Sequence, residues 1–144
     1  MPLRLIPPLH RATHRVGLYL AALGEHSLSQ GEAHILALLA ERRTATIAEL
    51  HKGLAHKRST LTSILDRLAT RQLITREVGT ADRRTFVISL TARGHKAAVE
   101  VHRHLAHLER LVGAHVTRAD AQGFLNVLSV LEKQASGSDD RDAP

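Results

Sequence analysis

The sequence predicts a mainly α-helical chain with a small β hairpin between its fourth and fifth helices. Three observations carry this. Apolar residues recur at the i, i+3, i+4, i+7 spacing of a helix face, most regularly as Leu61, Ile64, Leu65 and Leu68. A hydroxyl followed three residues later by an acid, the signal of a helix start, occurs at Ser29/Glu32, Thr46/Glu49 and Thr117/Asp120. At residues 73–90 the period changes: "LITREV" and "TFVISL" are β-branched and roughly alternating, and the polar turn "GTADRR" separates them.

The elements follow in order. Residues 8–24 place Leu9, Ala12, Val16, Leu20 and Leu23 on one stripe, with Pro7 and Pro8 suited to the first turn and Gly24 to the stop. Ser29 opens a second helix with Ile35, Leu36 and Leu39 buried. A short extended piece near 44–45 precedes the brief helix "TIAELHKG", and Gly53 sits where a turn is needed. The helix carrying Leu61 to Leu68 runs to about Gln72, and the hairpin follows. Thr91 caps a long helix with Ala98, Val101, Leu105, Leu108 and Val112 on one face, and Thr117 starts a last helix through Leu131. The tail "ASGSDDRDAP" has no apolar anchor, so 134–144 is expected to be disordered.

Composition narrows the function. A chain of 144 residues suits one domain with a real core. Its net charge of +6 and pI near 10.7 favour a polyanionic partner. No apolar run approaches the roughly 20 residues that span a bilayer, and the start "MPLRLIPPLH" lacks the apolar stretch of a signal peptide. A cytoplasmic protein without a membrane partner is therefore expected. Cysteine is absent, which excludes thiolate nucleophiles, cysteine metal sites and thiol switches. The aromatic residues are Tyr19, Phe86 and Phe124, too few for base-stacking platforms that bind single strands. There is no nucleophile elbow, P-loop, dinucleotide fingerprint or HExxH motif, so neither an enzyme nor a cofactor is expected.

Helix, short turn, helix and hairpin in succession make a winged helix-turn-helix, here flanked by helices at both ends. In such a unit the second helix enters the major groove and its N-terminal residues meet base edges. The stretch "LAHKRSTLTSILDRL", 54–68, is suited to that position. Lys57 and Arg58 add charge to the positive end of the helix dipole, and Ser59, Thr60, Thr62 and Ser63 can hydrogen-bond phosphate or base. Arg67 extends the set. Asp82, Arg83 and Arg84 fall at the hairpin tip, where the two guanidiniums point to phosphates or a minor groove and Asp82 braces the turn. The flanking helices have too much apolar surface for so small a centre, which predicts a two-fold dimer.

Residues 59–94, "STLTSILDRLATRQLITREVGTADRRTFVISLTARG", resemble the signature of the MarR (multiple antibiotic resistance regulator) family, with its S-T-x-T-x-x-x-D-R-L, D-R-R and L-T-x-x-G elements. The similar helix order extends the resemblance over roughly residues 8–133. It implies a single domain, 1–144, with a winged helix-turn-helix DNA-binding region at 29–91 and dimerisation helices at 8–24 and 92–133. It also implies a homodimer on pseudopalindromic double-stranded DNA, usually a repressor that a small-molecule effector releases. Ser59, Thr60 and Thr62 match the family's recognition helix, Arg83 and Arg84 its wing, and Asp66 the acidic residue that braces a wing arginine. Two positions depart from the pattern. Lys57 stands where a serine usually opens the recognition helix, and Thr80 where the wing usually has proline.

Eleven histidines raise the question of metal. A helical wheel of the long helix puts His104 and His115 inside its apolar arc, His107 at the edge and His102 outside. His34, in "EAHIL", matches a ligand of zinc-sensing family members, but Ala33 replaces their acidic ligand and their paired histidines on the long helix are missing. A zinc site needs three or four converging ligands, so no metal site is assigned. The resemblance implies a small organic effector, an aromatic acid being the default, with His14 and His34 near its pocket. A non-specific architectural DNA binder and a zinc-responsive regulator are the alternatives.

Overall fold

The structure is a computed structural model that describes residues 1–23, 27–54, 58–79 and 85–137, the side chain of Arg58 excepted. Helix α1 spans Ile6–Ala21 with proline in its first turn, where a missing N–H costs nothing. Helix α2 spans Gln30–Arg42. The Ser29 hydroxyl accepts from the Glu32 amide, but Glu32 does not complete a capping box; its carboxylate turns to α4. Strand β1, Thr44–Thr46, leads into α3, Ile47–Leu54, whose Glu49 amide is capped by the Thr46 hydroxyl. Helix α4 is Arg58–Thr70, β2 is Ile74–Val78 and β3 is Phe86–Leu90.

The expected hairpin is present as β2 and β3, and the sheet adds a strand to it. The sheet has three antiparallel strands in the order β1-β3-β2, with Ala45 opposite Ile88 on one edge of β3 and Arg76 opposite Ile88 on the other. A central β3 leaves an edge for β1, and Ala45 and Ile88 enter the core as a buried cross-strand pair. The extended piece near 44–45 is thus the third strand, which ties the wing to the turn before α3.

Three joints set α4. Its inner face, Leu61, Ile64, Leu65 and Leu68, is buried against α2 residues such as Leu36 and Leu39. Its C-terminus closes with a Schellman arrangement: the Leu73 amide bonds the Leu68 carbonyl, the Gln72 amide bonds the Ala69 carbonyl, and both leucines are buried. Gln72 takes the left-handed position of that cap, φ 60°, where glycine is usual. Thr91 then secures the joint to α5, Ala92–Gly113: its hydroxyl donates to the Gln72 carbonyl at 2.6 Å and accepts from the Gly94 amide at 2.9 Å. A Cβ on Gly94 would stand 1.7 Å from the Leu73 carbonyl oxygen, so only glycine fits there. This joint explains the L-T-x-x-G element physically.

Two expectations for the C-terminal helices are corrected. Helix α5 ends at Gly113, so His115 is not on its apolar arc but in the following turn, where its amide bonds the Val112 carbonyl. Helix α6 spans Arg118–Ser136 and opens with a complete capping box between Thr117 and Asp120. It therefore runs past Leu131 into the segment expected to be disordered, its last turn held by the Ser136 hydroxyl on the Glu132 carbonyl. Residues 138–144 of that segment lie outside the described residues. The chain divides into two compact units, Met1–Leu105 and Ala106–Pro144. Among the described residues, all of the buried core belongs to the first. Among the described residues, no helix is long and apolar enough to cross a membrane.

Candidate nucleic-acid interface

Helix α4 presents two faces of opposite character. Its apolar residues are buried, and Ser59, Thr60, Thr62 and Ser63 are exposed, as the spacing requires. Ser59, Thr60 and Thr62 thus form a row of hydrogen-bonding groups on the first turns of a helix whose free amides and dipole end favour anions. Ser63 differs, because its hydroxyl accepts from Nη1 of Arg67 at 3.1 Å.

Arg67 is also drawn to the protein rather than left free on the surface. Its Nε lies 3.4 Å from Oε1 of Glu32, while Nη1 of Arg71 donates to Oε2 of the same carboxylate at 3.1 Å. Glu32 is only 5 % exposed, a buried carboxylate shared by two guanidiniums. Sequence reasoning assigned Glu32 to a capping box and missed this role. The signal available was the pair Arg67 and Arg71, four residues apart on the flank of the buried stripe.

Asp66 ion-pairs with Arg76 on β2. Arg76 stands at the base of the wing, whereas Arg83 and Arg84, the wing arginines of the family pattern, lie outside the described residues. The tip itself, with Asp82, Arg83, Arg84 and Thr80, lies outside the described residues, as do His56 and Lys57. Arg58 opens α4, but its side chain is likewise outside them.

Beside the hydroxyl row is a cavity of about 420 Å³ between α3, α4 and β3, lined by Ile47, Ala48, His51, Leu61, Thr62, Thr85 and Phe86. The expected effector residues are elsewhere: His14 is exposed on α1 and His34 is half-buried on α2, and neither lines this cavity. Among the described residues the other histidines are dispersed. His102 faces Glu41 at 3.6 Å, His104 faces Glu100 at 4.0 Å, and His107 bonds Arg110 at 3.2 Å. Among the described residues no three His, Asp or Glu side chains converge to hold a metal ion.

With this geometry in view, the comparisons with known proteins converge. The MarR family model matches residues 28–86, which contain α2, the helix-turn-helix and the rise of the wing into β3. Solved MarR-family winged-helix regulators share the fold. The S. aureus MepR–DNA complex superposes with a TM-score of 0.79 at 18 % identity, covering 93 % of this chain and 99 % of that one. A mutant MarR from E. coli complexed with operator DNA gives 0.71 at 22 % identity over 89 % and 91 % of the two chains. NadR in complex with 4-hydroxyphenylacetate gives 0.72 at 22 % identity over 91 % and 97 %. No curated protein matches the sequence significantly. At these identities the structural likeness is one of fold. The winged helix of this chain is thus similar in fold to those structures.

Proposed function

We propose that this protein is a regulator of the MarR family: a sequence-specific, double-stranded DNA-binding repressor that acts as a homodimer and is released by a small-molecule effector. The observation that carries the reading is the exposed row Ser59, Thr60 and Thr62 at the start of α4, on a helix anchored at its flank and its C-terminus. A rigid helix presenting short donors and acceptors suits base edges, and Arg83 and Arg84 of the wing suit phosphate or a minor groove. Lys57 and Arg58 supply charge at the same end.

Residues 29–91 form the DNA-reading region in this proposal, and the helices at 8–24 and 92–133 dimerise. Support comes from α6, where Phe124, Leu125, Val127 and Val130 are all at least 44 % exposed. A helix this apolar on several sides is covered in its working state. A second copy of the chain is the simplest cover, and it gives two recognition helices for a pseudopalindrome.

The effector reading draws on neighbours with aromatic acids: the NadR complex, and a structure describing regulation of DNA binding by Bordetella bronchiseptica BpsR by 6-hydroxynicotinic acid. The cavity lined by Thr62 is a better seat for such a ligand than the neighbourhood of His14 and His34. It offers Ile47, Ala48, Leu61 and Phe86 to a ring and His51, Thr62 and Thr85 to a polar group. A ligand there would occupy a base-reading side chain.

The test begins with selection of duplexes from a randomised pool, followed by competition against a scrambled duplex at fixed salt. A preferred duplex with two-fold symmetry is expected. Thr62→Ala is then expected to weaken that duplex by about 1–3 kcal/mol and to leave the scrambled one unchanged. Equal affinity for every sequence would make the chain a non-specific architectural binder instead.

A further inference from the structure

The side of α4 that meets α2 is organised around one carboxylate. Glu32 is almost out of water, and Arg67 and Arg71, one helical turn apart, both reach it. The leucine and isoleucine contacts on the neighbouring face of α4 are non-directional and tolerate small rotations and slides. The hydrogen bond from Arg71 Nη1 does not, because its N–H must meet the carboxylate oxygen along a narrow range of directions, and the Arg67 ion pair at 3.4 Å adds a second point of attachment. A buried carboxylate gains little net stability from such pairing, and its best-attested use is to specify one arrangement over others. Arg67 is also restrained through Ser63, one turn earlier on α4, while its side chain stays 52 % exposed.

We propose that Glu32 is a positioning residue for DNA reading. By holding Arg67 and Arg71 it sets the rotation and axial register of α4, and with them the aim of Ser59, Thr60 and Thr62. At the same time it keeps the Arg67 cation from the phosphate backbone. The inference rests on the proposed DNA-reading role of α4. The two effects have opposite signs on the two kinds of duplex, which separates positioning from mere support of the fold.

The experiment compares wild type and Glu32→Gln on a duplex selected by the wild-type protein and on its scrambled counterpart, over a salt series. Glu32→Gln keeps the shape and removes the charge. It is expected to lose about tenfold on the selected duplex, the size of one lost base contact. On the scrambled duplex it is expected to hold or gain affinity, with a salt slope steeper by about one as Arg67 becomes available to phosphate. Parallel losses on both duplexes, or discrimination equal to wild type, overturn the proposal. Should Glu32→Gln fail to fold by circular dichroism, a second pair decides, since both members leave Glu32 paired with Arg67. Arg71→Lys is expected to retain discrimination and Arg71→Gln to lose it, and identical behaviour of the two overturns the proposal. If the wild-type protein itself prefers no sequence, the functional reading fails and this inference falls with it. If wild type discriminates and the variants do so equally, only the inference falls.

Discussion

The Asp66 carboxylate ion-pairs with the Arg76 guanidinium and so joins the outer flank of α4 to the first strand of the wing. Asp66 is 58 % exposed, so the pair is screened and contributes little to global stability, about 0.2–1 kcal/mol. Its effect is geometric: the helix that carries the hydroxyl row and the strand that leads to the wing tip are held in one orientation.

Asp66→Asn should therefore separate stability from DNA binding. Urea unfolding is expected to change by less than about 1 kcal/mol, as for other exposed pairs. Affinity for a selected duplex is expected to fall by more than that, because α4 and the wing must then be aligned at the moment of binding. Restoring an opposite-charge pair with Asp66→Arg and Arg76→Asp together should recover part of the loss. A stability change as large as the binding change would show that the pair is only a strut.

Gly94 tests the joint between the wing, α4 and α5. A methyl group at this position meets the Leu73 carbonyl carbon at 2.7 Å as well as its oxygen, and both are backbone atoms that cannot swing aside. Leu73 is fully buried and its carbonyl also accepts the Thr91 amide. Gly94→Ala is expected to destabilise by about 1–3 kcal/mol or more, although alanine is the better helix former. Denaturant midpoints measure this directly. Gly123→Ala, where nothing lies within 4 Å of the added carbon, is the control and should be neutral or stabilising.

Much of this architecture was legible from residue spacing. The stripe Leu61, Ile64, Leu65, Leu68 marked the buried face of α4, and Ser29, Thr46, Thr91 and Thr117 marked helix starts that the structure caps through their hydroxyls. Such features are local, and a few residues of sequence contain them. What spacing could not supply was pairing across the chain. Glu32 looked like half of a capping box because its partner three residues away was visible, whereas Arg71 lies 39 residues on. β1 escaped assignment to the sheet for the same reason, since a three-residue strand is held in place only through β3. His115 was misplaced by extending a helical wheel past Gly113, where the helix stops. Of the site, the hydroxyl row was legible because exposure follows the helical period, while the hold of Glu32 on Arg67 and Arg71 was not.

The capping box of α6 carries a pH dependence with a definite sign. The Thr117 amide, and after it the Thr117 hydroxyl, hold the Asp120 carboxyl below the usual carboxylate range. A carboxyl whose value is depressed by folding supports the helix fully above its unfolded value, and that support is lost as pH falls through the folded value. The first turn of α6 is therefore expected to stay intact at neutral pH and to fray only below about pH 4. Carboxyl carbon shifts followed by NMR should show Asp120 titrating below an exposed aspartate, and Thr117→Ala should move it back toward the ordinary range. Titration of Asp120 at the ordinary value in the wild-type protein would remove the box from the account.

The proposed dimer makes the strongest claim about unit 106–144. Among its described residues, Phe124 and Leu125 are each 57 % exposed and Val130 is 60 % exposed. Covering a large apolar side chain contributes about 1.5–3 kcal/mol, so several on one helix suffice to hold two chains together at micromolar concentration. Sedimentation equilibrium of the full chain is expected to give a dimer. Phe124→Glu places a charge where the partner's apolar surface should sit, and it is expected to shift the equilibrium to monomer by tenfold or more, about 1.4 kcal/mol at least. Helix content should persist in that variant, because nothing in the buried core is altered. The monomer should also lose most of its preference for a two-fold selected duplex, since a single recognition helix reads only one half-site. A wild-type monomer that binds the selected duplex as tightly as expected of two half-sites would leave the apolar face of α6 without a second copy as its cover.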